Sequence, residues 1–218
     1  MRIHLMAAAL PLALLAAPLH AQFTPTGGSF GSLPQATFGG SGIPNNAVQM
    51  GHNVGGVDLG LTATQRFTSP ALTNDGAGTF FATPGFDASA PFTYATWNFD
   101  FYVGGSGAGN YFYTLFIDNN PGTGTITFGQ YNFDASSFIA GANQNSFNIG
   151  MGFIGGDPTA SGEYTYALVQ YRDAARLNVA DQIAIQVDVT STPEPASMVL
   201  LGTGLVGVFG VARRRKRA

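Results

Sequence analysis

Few residues of this chain could carry chemistry by themselves. Between Gln22 and Thr192 there is one histidine, His52 in QMGHNVGG, and the 218 residues contain no cysteine. A Ser-His-Asp hydrolase needs a serine presented beside that ring; no Gly-x-Ser-x-Gly elbow is expected, and no serine context singles out a nucleophile. His52 beside Asn53 is therefore expected at a turn or strand end. A transition-metal site of the usual His/Cys type cannot be assembled from one histidine within one chain. The stretch IDNNPGTGT offers Asp118, Asn119 and Asn120 as oxygens for a hard cation such as Ca2+. It lacks the spaced acids and distal Glu of an EF-hand, and Asp and Asn also cap backbone amides in turns, which is the preferred reading. TNDGAG, from Thr73 to Gly78, reads as a hairpin loop on the same grounds. Paired carboxylates for glycoside hydrolysis are poorly provided for, because Glu163 is the single Glu between Gln22 and Thr192 and begins an expected strand. Tyr102, Phe112 and Phe116 fall opposite core rows, where they either stack on sugar rings or pack at an edge, the commoner fate. No catalytic residue, cofactor or metal ligand is assigned.

The elements that would position such residues follow from composition. Charged residues are 10% of the chain, with 30 Gly and 18 Phe, a mixture suited to short strands and tight turns. Residues 1–21, MRIHLMAAALPLALLAAPLHA, combine Arg2, an apolar stretch from Leu5 to about Ala17 and a small residue at Ala21. This is expected to be a secretory signal peptide cut after Ala21, rather than a membrane anchor, for which it is short and interrupted by Pro11 and Pro18. Residues 22–191 are expected to form one exported domain. They hold three arginines (Arg66, Arg172, Arg176), ten Asp and Glu163, a formal charge of −8. Nucleic acid is excluded as a partner, since phosphate contacts require Lys and Arg.

Residues 192–218 have a different character. Ala196 to Ala212, ASMVLLGTGLVGVFGVA, carries no charge over seventeen residues, and Arg213, Arg214, Arg215, Lys216 and Arg217 follow at once. At about 1.5 Å per residue this run is at the short end of a transmembrane helix, and its glycines suit close helix contact in lipid. The basic end stays cytoplasmic by the positive-inside rule, which leaves Pro193, Glu194 and Pro195 just outside the membrane. The two prolines hold Thr192 and Glu194 extended. Mechanics alone leaves two readings: a stiff linker with Glu near a helix N-terminus, or a recognition signal.

The ordered set TPEPASMVLLGTGLVGVFGVARRRKRA resembles the PEP-CTERM sorting signal: a Pro-Glu-Pro motif followed by Ala-Ser, a short glycine-rich apolar helix and an arginine-rich end. The resemblance implies recognition of Pro193, Glu194 and Pro195 by an exosortase, a membrane-embedded transpeptidase-like cysteine protease of Gram-negative bacteria that make exopolysaccharide. It also implies passage through the Sec translocon, transient residence in the inner membrane, and delivery to the cell surface or extracellular matrix.

Within the exported domain, period-two alternation predicts an all-β fold, an antiparallel β-sandwich. The inward rows are expected to be Val57, Leu59, Leu61 and Ala63; Trp97, Phe99, Phe101 and Val103; Tyr111, Tyr113, Leu115 and Ile117; Phe147, Ile149, Met151 and Phe153; Tyr164, Tyr166 and Leu168; and Ile183, Ile185, Val187 and Val189. GGSGAGN, DNNPGTG, GGDPTASG and RDAARLN are the turns between them. The Gly/Pro/Ser-rich segment before Val57 is expected to pack irregularly along one edge or to be partly mobile. The stretches GIPNNAV, LGLTATQRF, TNDGAGTFFATPG, IDNNPGTGT, QNSFNIGMGF and IQVDV, over most of residues 41–189, also resemble a recurring architecture among PEP-CTERM surface proteins, which supports the fold and is silent on activity. The leading expectation is a non-enzymatic surface or biofilm-matrix protein. The alternatives are a carbohydrate-binding module for the exopolysaccharide and, remotely, a secreted hydrolase.

Overall fold

Alternation of apolar and polar residues becomes strand where Gly, Asn and Pro interrupt it often enough to turn the chain. The computed structural model describes residues 24–67, 72–87, 93–122, 128–138 and 141–190. The expected signal peptide, the Pro-Glu-Pro motif, the apolar run and the basic end lie outside these residues.

The strands are, in chain order, β1 (Ser29–Gly31), β2 (Val48–Met50), β3 (Asp58–Gln65), β4 (Thr73–Asn74), β5 (Thr79–Ala82), β6 (Trp97–Gly104), β7 (Phe112–Asp118), β8 (Phe128–Phe133), β9 (Asn143–Phe147), β10 (Gly162–Tyr171) and β11 (Val179–Val189). They form two sheets, one ordered β1-β2-β3-β6-β9 and the other β4-β5-β11-β10-β7-β8. Helical structure among the described residues is limited to single 3-10 turns, and none of it is long and apolar enough to cross a membrane. The fold is thus all-β, as the alternation predicts.

One pairing departs from an antiparallel sandwich: β5 runs parallel to β11, with Gln186 opposite Thr79 and Val189 opposite Ala82. β5 is antiparallel to β4 in a hairpin where Thr73 faces Phe81, and the two strands join β11 as a unit. The other side of β11 is already filled by its hairpin with β10. The open side of β11 therefore receives β5.

The expected inward rows of β3, β6, β7, β10 and β11 make the core. Trp97, Phe99, Phe101, Tyr113, Leu115, Tyr166, Ile183 and Ile185 are each at most 1% exposed. Phe99 stacks on Tyr166 across the sheets, with ring centroids 4.0 Å apart, and Trp97 meets Tyr164 at 5.4 Å. Each such aromatic contributes on the order of 2–3 kcal/mol by burial. The Tyr166 hydroxyl makes no hydrogen bond, and desolvation holds its proton far more tightly than in water. Tyr166→Phe is therefore expected to leave stability unchanged or raise it by about 1 kcal/mol, measured by urea unfolding; a loss of more than about 1 kcal/mol would contradict an unsatisfied hydroxyl.

Three expectations are corrected. The row from Phe147 to Phe153 is not a strand, because β9 ends at Phe147 and residues 148–156 form successive turns that leave Phe153 67% exposed. The strand lies upstream, in the polar stretch NQNSF, which alternation of apolar residues could not reveal. β8 was also not expected, since FGQYNF mixes its aromatics with Gly, Gln and Asn. The segment before Val57 is neither a loose edge nor irregular throughout: β1 and β2 extend the first sheet, and Leu33, Ala36 and Phe38 form a second cluster with Val48 and Tyr102 on its outer face. Tyr102 is consequently 5% exposed, which agrees with the commoner of its two expected fates, packing.

Candidate functional site: a cleft on the outer sheet face

On β6 the residues opposite the core row are Asn98, Asp100 and Tyr102, and this outer face also carries Thr62 and Thr64 from β3 and Ser146 from β9. The segment carrying Phe38 closes over part of it. The Gln144 side-chain carbonyl accepts from the amides of Thr37 at 2.8 Å and Phe38 at 2.7 Å, pinning the segment to β9. Glycine-rich residues 39–42 then lift the chain away from the sheet, with Gly39 and Gly42 at φ of 76° and 81°. Between this loop and the ends of β3, β6 and β9 opens a cleft of about 560 Å³. This lies within the range of about 300–1,000 Å³ usual for small-molecule sites.

The floor of the cleft is polar. Thr64, Gln65, Asn98, Asn145 and Ser146 supply hydroxyls and amides to it. Arg66 is its only charged lining residue among the described residues. The guanidinium lies 4.1 Å from the centroid of Phe67 and 4.3 Å from that of Tyr94, and its Nε is 3.6 Å from Asp87 Oδ2. Burial lowers the Arg66 pKa and Asp87 opposes the shift, so the cation is held in a compensated aromatic setting. Phe67 is 73% exposed at the rim. Both Phe38 and Phe67 hold positive φ, 50° and 57°, a strained conformation for a bulky side chain.

Beneath the floor, Asp100 is completely buried. Its Oδ2 accepts from Thr64 Oγ1 at 2.7 Å, while Oδ1 lacks a well-aligned hydrogen bond. Desolvation raises its pKa from 3.8 to about 7, with the Ser146 and Thr64 hydroxyls pulling the other way. A second chain of bonds orients the floor: Asn148 donates to Asn98 Oδ1 at 2.7 Å, and Asn98 donates to Ser146 Oγ at 3.0 Å.

The residues considered from the sequence are dispersed. His52 sits after β2 with its Nδ1 2.9 Å from Asp181 Oδ1 and its backbone amide donating to Asp181 Oδ2 at 2.6 Å. Asp181 also accepts from the Gln182 amide, so the pair ties a strand end to β11. Gly27–Gly31 does spell Gly-x-Ser-x-Gly, but Ser29 begins the short edge strand β1. Among the described residues its hydroxyl makes no hydrogen bond to His52.

Asp118 Oδ1 accepts from the Asn120 amide at 2.9 Å and Oδ2 from the Thr165 amide at 3.2 Å, while Asn119 donates to the Ile154 carbonyl. These oxygens act as turn caps. Among the described residues no three His, Asp or Glu side chains converge. Asp75 likewise accepts from Ala77 and Thr79 in the β4–β5 hairpin. Glu163 lies near the start of β10 and accepts from Gln186 Nε2. Phe112 and Phe116 are half-buried.

Pro193, Glu194, Pro195 and Arg213 to Arg217 lie outside the described residues. The cleft itself was missed. Its traces in the sequence are a carboxylate inside the aromatic strand WNFDFYV and one of only three domain arginines directly after β3.

A family model for the PEP-CTERM protein-sorting motif matches residues 191–216. The expected sorting signal is therefore present at the expected place. No curated protein matches the chain.

Proposed function

We propose that this chain is a non-enzymatic surface or matrix protein, exported, recognised at Pro193, Glu194 and Pro195 by an exosortase-type membrane enzyme, and freed from its C-terminal segment to act structurally or adhesively in a biofilm. The observation that carries the reading is the sorting motif at 191–216, which suggests an exosortase-processed exported protein. In this reading residues 196–212 hold the chain in the inner membrane and Arg213 to Arg217 anchor it on the cytoplasmic side until cleavage. The domain ahead of the motif suits an extracellular life without disulfides, since its stability rests on two packed sheets. Its formal charge of −8 over residues 22–191 favours solubility over adsorption to anionic surfaces.

The test is mass spectrometry of the mature C-terminus in an exosortase-bearing host. The wild-type chain is expected to end near Pro195, whereas Glu194→Ala and deletion of Arg213 to Arg217 are expected to leave most of the chain uncleaved in the membrane fraction. Unchanged processing in both variants would sink the reading.

A further inference from the structure

We infer that the cleft between the glycine-rich loop 39–42 and the ends of β3, β6 and β9 is a binding site for a neutral oligosaccharide. The inference rests on the reading that the domain is delivered to a polysaccharide matrix, and it names the chemistry the domain recognises there.

The lining sets the ligand class. Sugars present hydroxyls in several directions around a ring whose C–H faces are apolar, so they are held by planar amides and hydroxyls beside an aromatic platform. The cleft offers both. Asn98, Asn145, Thr64 and Ser146 are polar groups on one floor. Phe67 is an exposed ring at the rim, with the Arg66 guanidinium stacked on it.

The floor groups are oriented before any ligand arrives. The Thr64 hydroxyl donates its hydrogen bond to Asp100, which leaves the hydroxyl oxygen as an acceptor. Asn98 accepts a hydrogen bond from Asn148 and donates one to Ser146. Such preorganisation lowers the entropic cost of binding. The buried, incompletely bonded Asp100 and the two left-handed phenylalanines lie at this one place, and a fold retains such costs where the surroundings enforce them.

Charge argues against the other classes. The one cation among the described lining residues, Arg66, is accompanied by Asp87, and the domain as a whole is acidic, so an anionic polymer is repelled at long range. A lipid or apolar peptide would exclude water from the hydroxyls and amides of the floor without matching their remaining hydrogen-bonding capacity.

The test uses the full-length chain purified in mild detergent and calorimetric titration with neutral gluco-, galacto- and manno-oligosaccharides, oligogalacturonate serving as the acidic counterpart. At least one neutral oligomer is expected to bind. Phe67→Ala and Asn145→Ala, both at exposed positions that leave the fold intact, are each expected to weaken it by roughly tenfold. Phe153→Ala, an exposed aromatic outside the cleft, is expected to bind as the wild type does.

The assignment is overturned if no neutral oligomer binds, if oligogalacturonate binds more tightly, or if both cleft variants retain full affinity. C-terminal cleavage of the same variants in an exosortase-bearing host separates the two readings. Cleavage without saccharide binding removes the cleft assignment alone, and saccharide binding without cleavage removes the sorting reading alone.

Discussion

Asn148→Ala is expected to destabilise the domain by about 3–5 kcal/mol, measured as the shift of the urea unfolding midpoint at constant m. Asn148 is fully buried just after β9. Its Oδ1 accepts from the amides of Ala95 at 2.8 Å and Gly150 at 3.0 Å. Its Nδ2 donates to the carbonyls of Ala95 at 3.0 Å and Trp97 at 2.8 Å, and to Asn98 Oδ1. One side chain thus does the work of a ladder strand at the point where β9 turns away from β6. Alanine cannot replace any of these bonds, and Ala95 and Trp97 are too buried for water to do so. Asn145→Ala, by contrast, removes only a bond to its own neighbour on an exposed edge and is expected to cost less than about 1 kcal/mol. A midpoint shift for Asn148→Ala as small as that of Asn145→Ala would show that the turn does not depend on this network.

The second large effect is a dependence of stability on pH centred on Asp100. Its pKa is 3.8 in an ordinary setting and about 7 in the folded domain. Below pH 4 both states carry the proton, and the full stabilising contribution is present. As pH rises from about 4 to about 7 the unfolded chain releases the proton while the folded chain keeps it, so stability falls, and it levels off above about 7. The displacement corresponds to roughly 4 kcal/mol in total.

Burial also raises Asp118 and Asp188, which act in the same sense. Asp75, Asp134, Asp157 and Asp173 are lowered by hydrogen bonds in their turns and act oppositely, losing their contribution as pH falls below the ordinary carboxylate range. Maximum stability is therefore expected on the acid side of neutrality. Asp100→Asn keeps the shape, removes the titrating proton, and is expected to raise stability at pH 8 by about 2–4 kcal/mol while flattening the slope between pH 4 and 7. An equal slope in wild type and variant would place the titrating group elsewhere.

The two effects meet at one place, because Asn148 orients Asn98 on the floor under which Asp100 lies. The polar face of β6 thus joins a stabilising network to one buried carboxyl that costs stability at neutral pH. Asn148 stabilises this face through its bonds, whereas the buried Asp100 carboxyl works against folding at neutral pH.

What the amino-acid sequence determined by itself is local or compositional. The inward rows of β3, β6, β7, β10 and β11 were legible because a strand has a period of two, and a run such as WNFDFYV fits no other regular structure with one apolar face. The turns at 118–122 and 73–78 were legible because Asp and Asn bond to amides two residues on. The sorting signal was legible because order along the chain is its whole content.

Tertiary structure decided the rest. That Tyr102 is covered depends on Phe38 and Leu33, which Gln144 helps to hold from 106 positions away along the chain. That β5 lies beside β11, and parallel to it, depends on which side of β11 its hairpin with β10 leaves open and on how the β4–β5 hairpin is carried there. That Asp100 lies sealed under a cleft depends on three strands and a loop meeting over it. A pattern in sequence specifies which face of a strand is apolar, but what comes to lie on the other face is set by contacts between distant residues, and no local period encodes them.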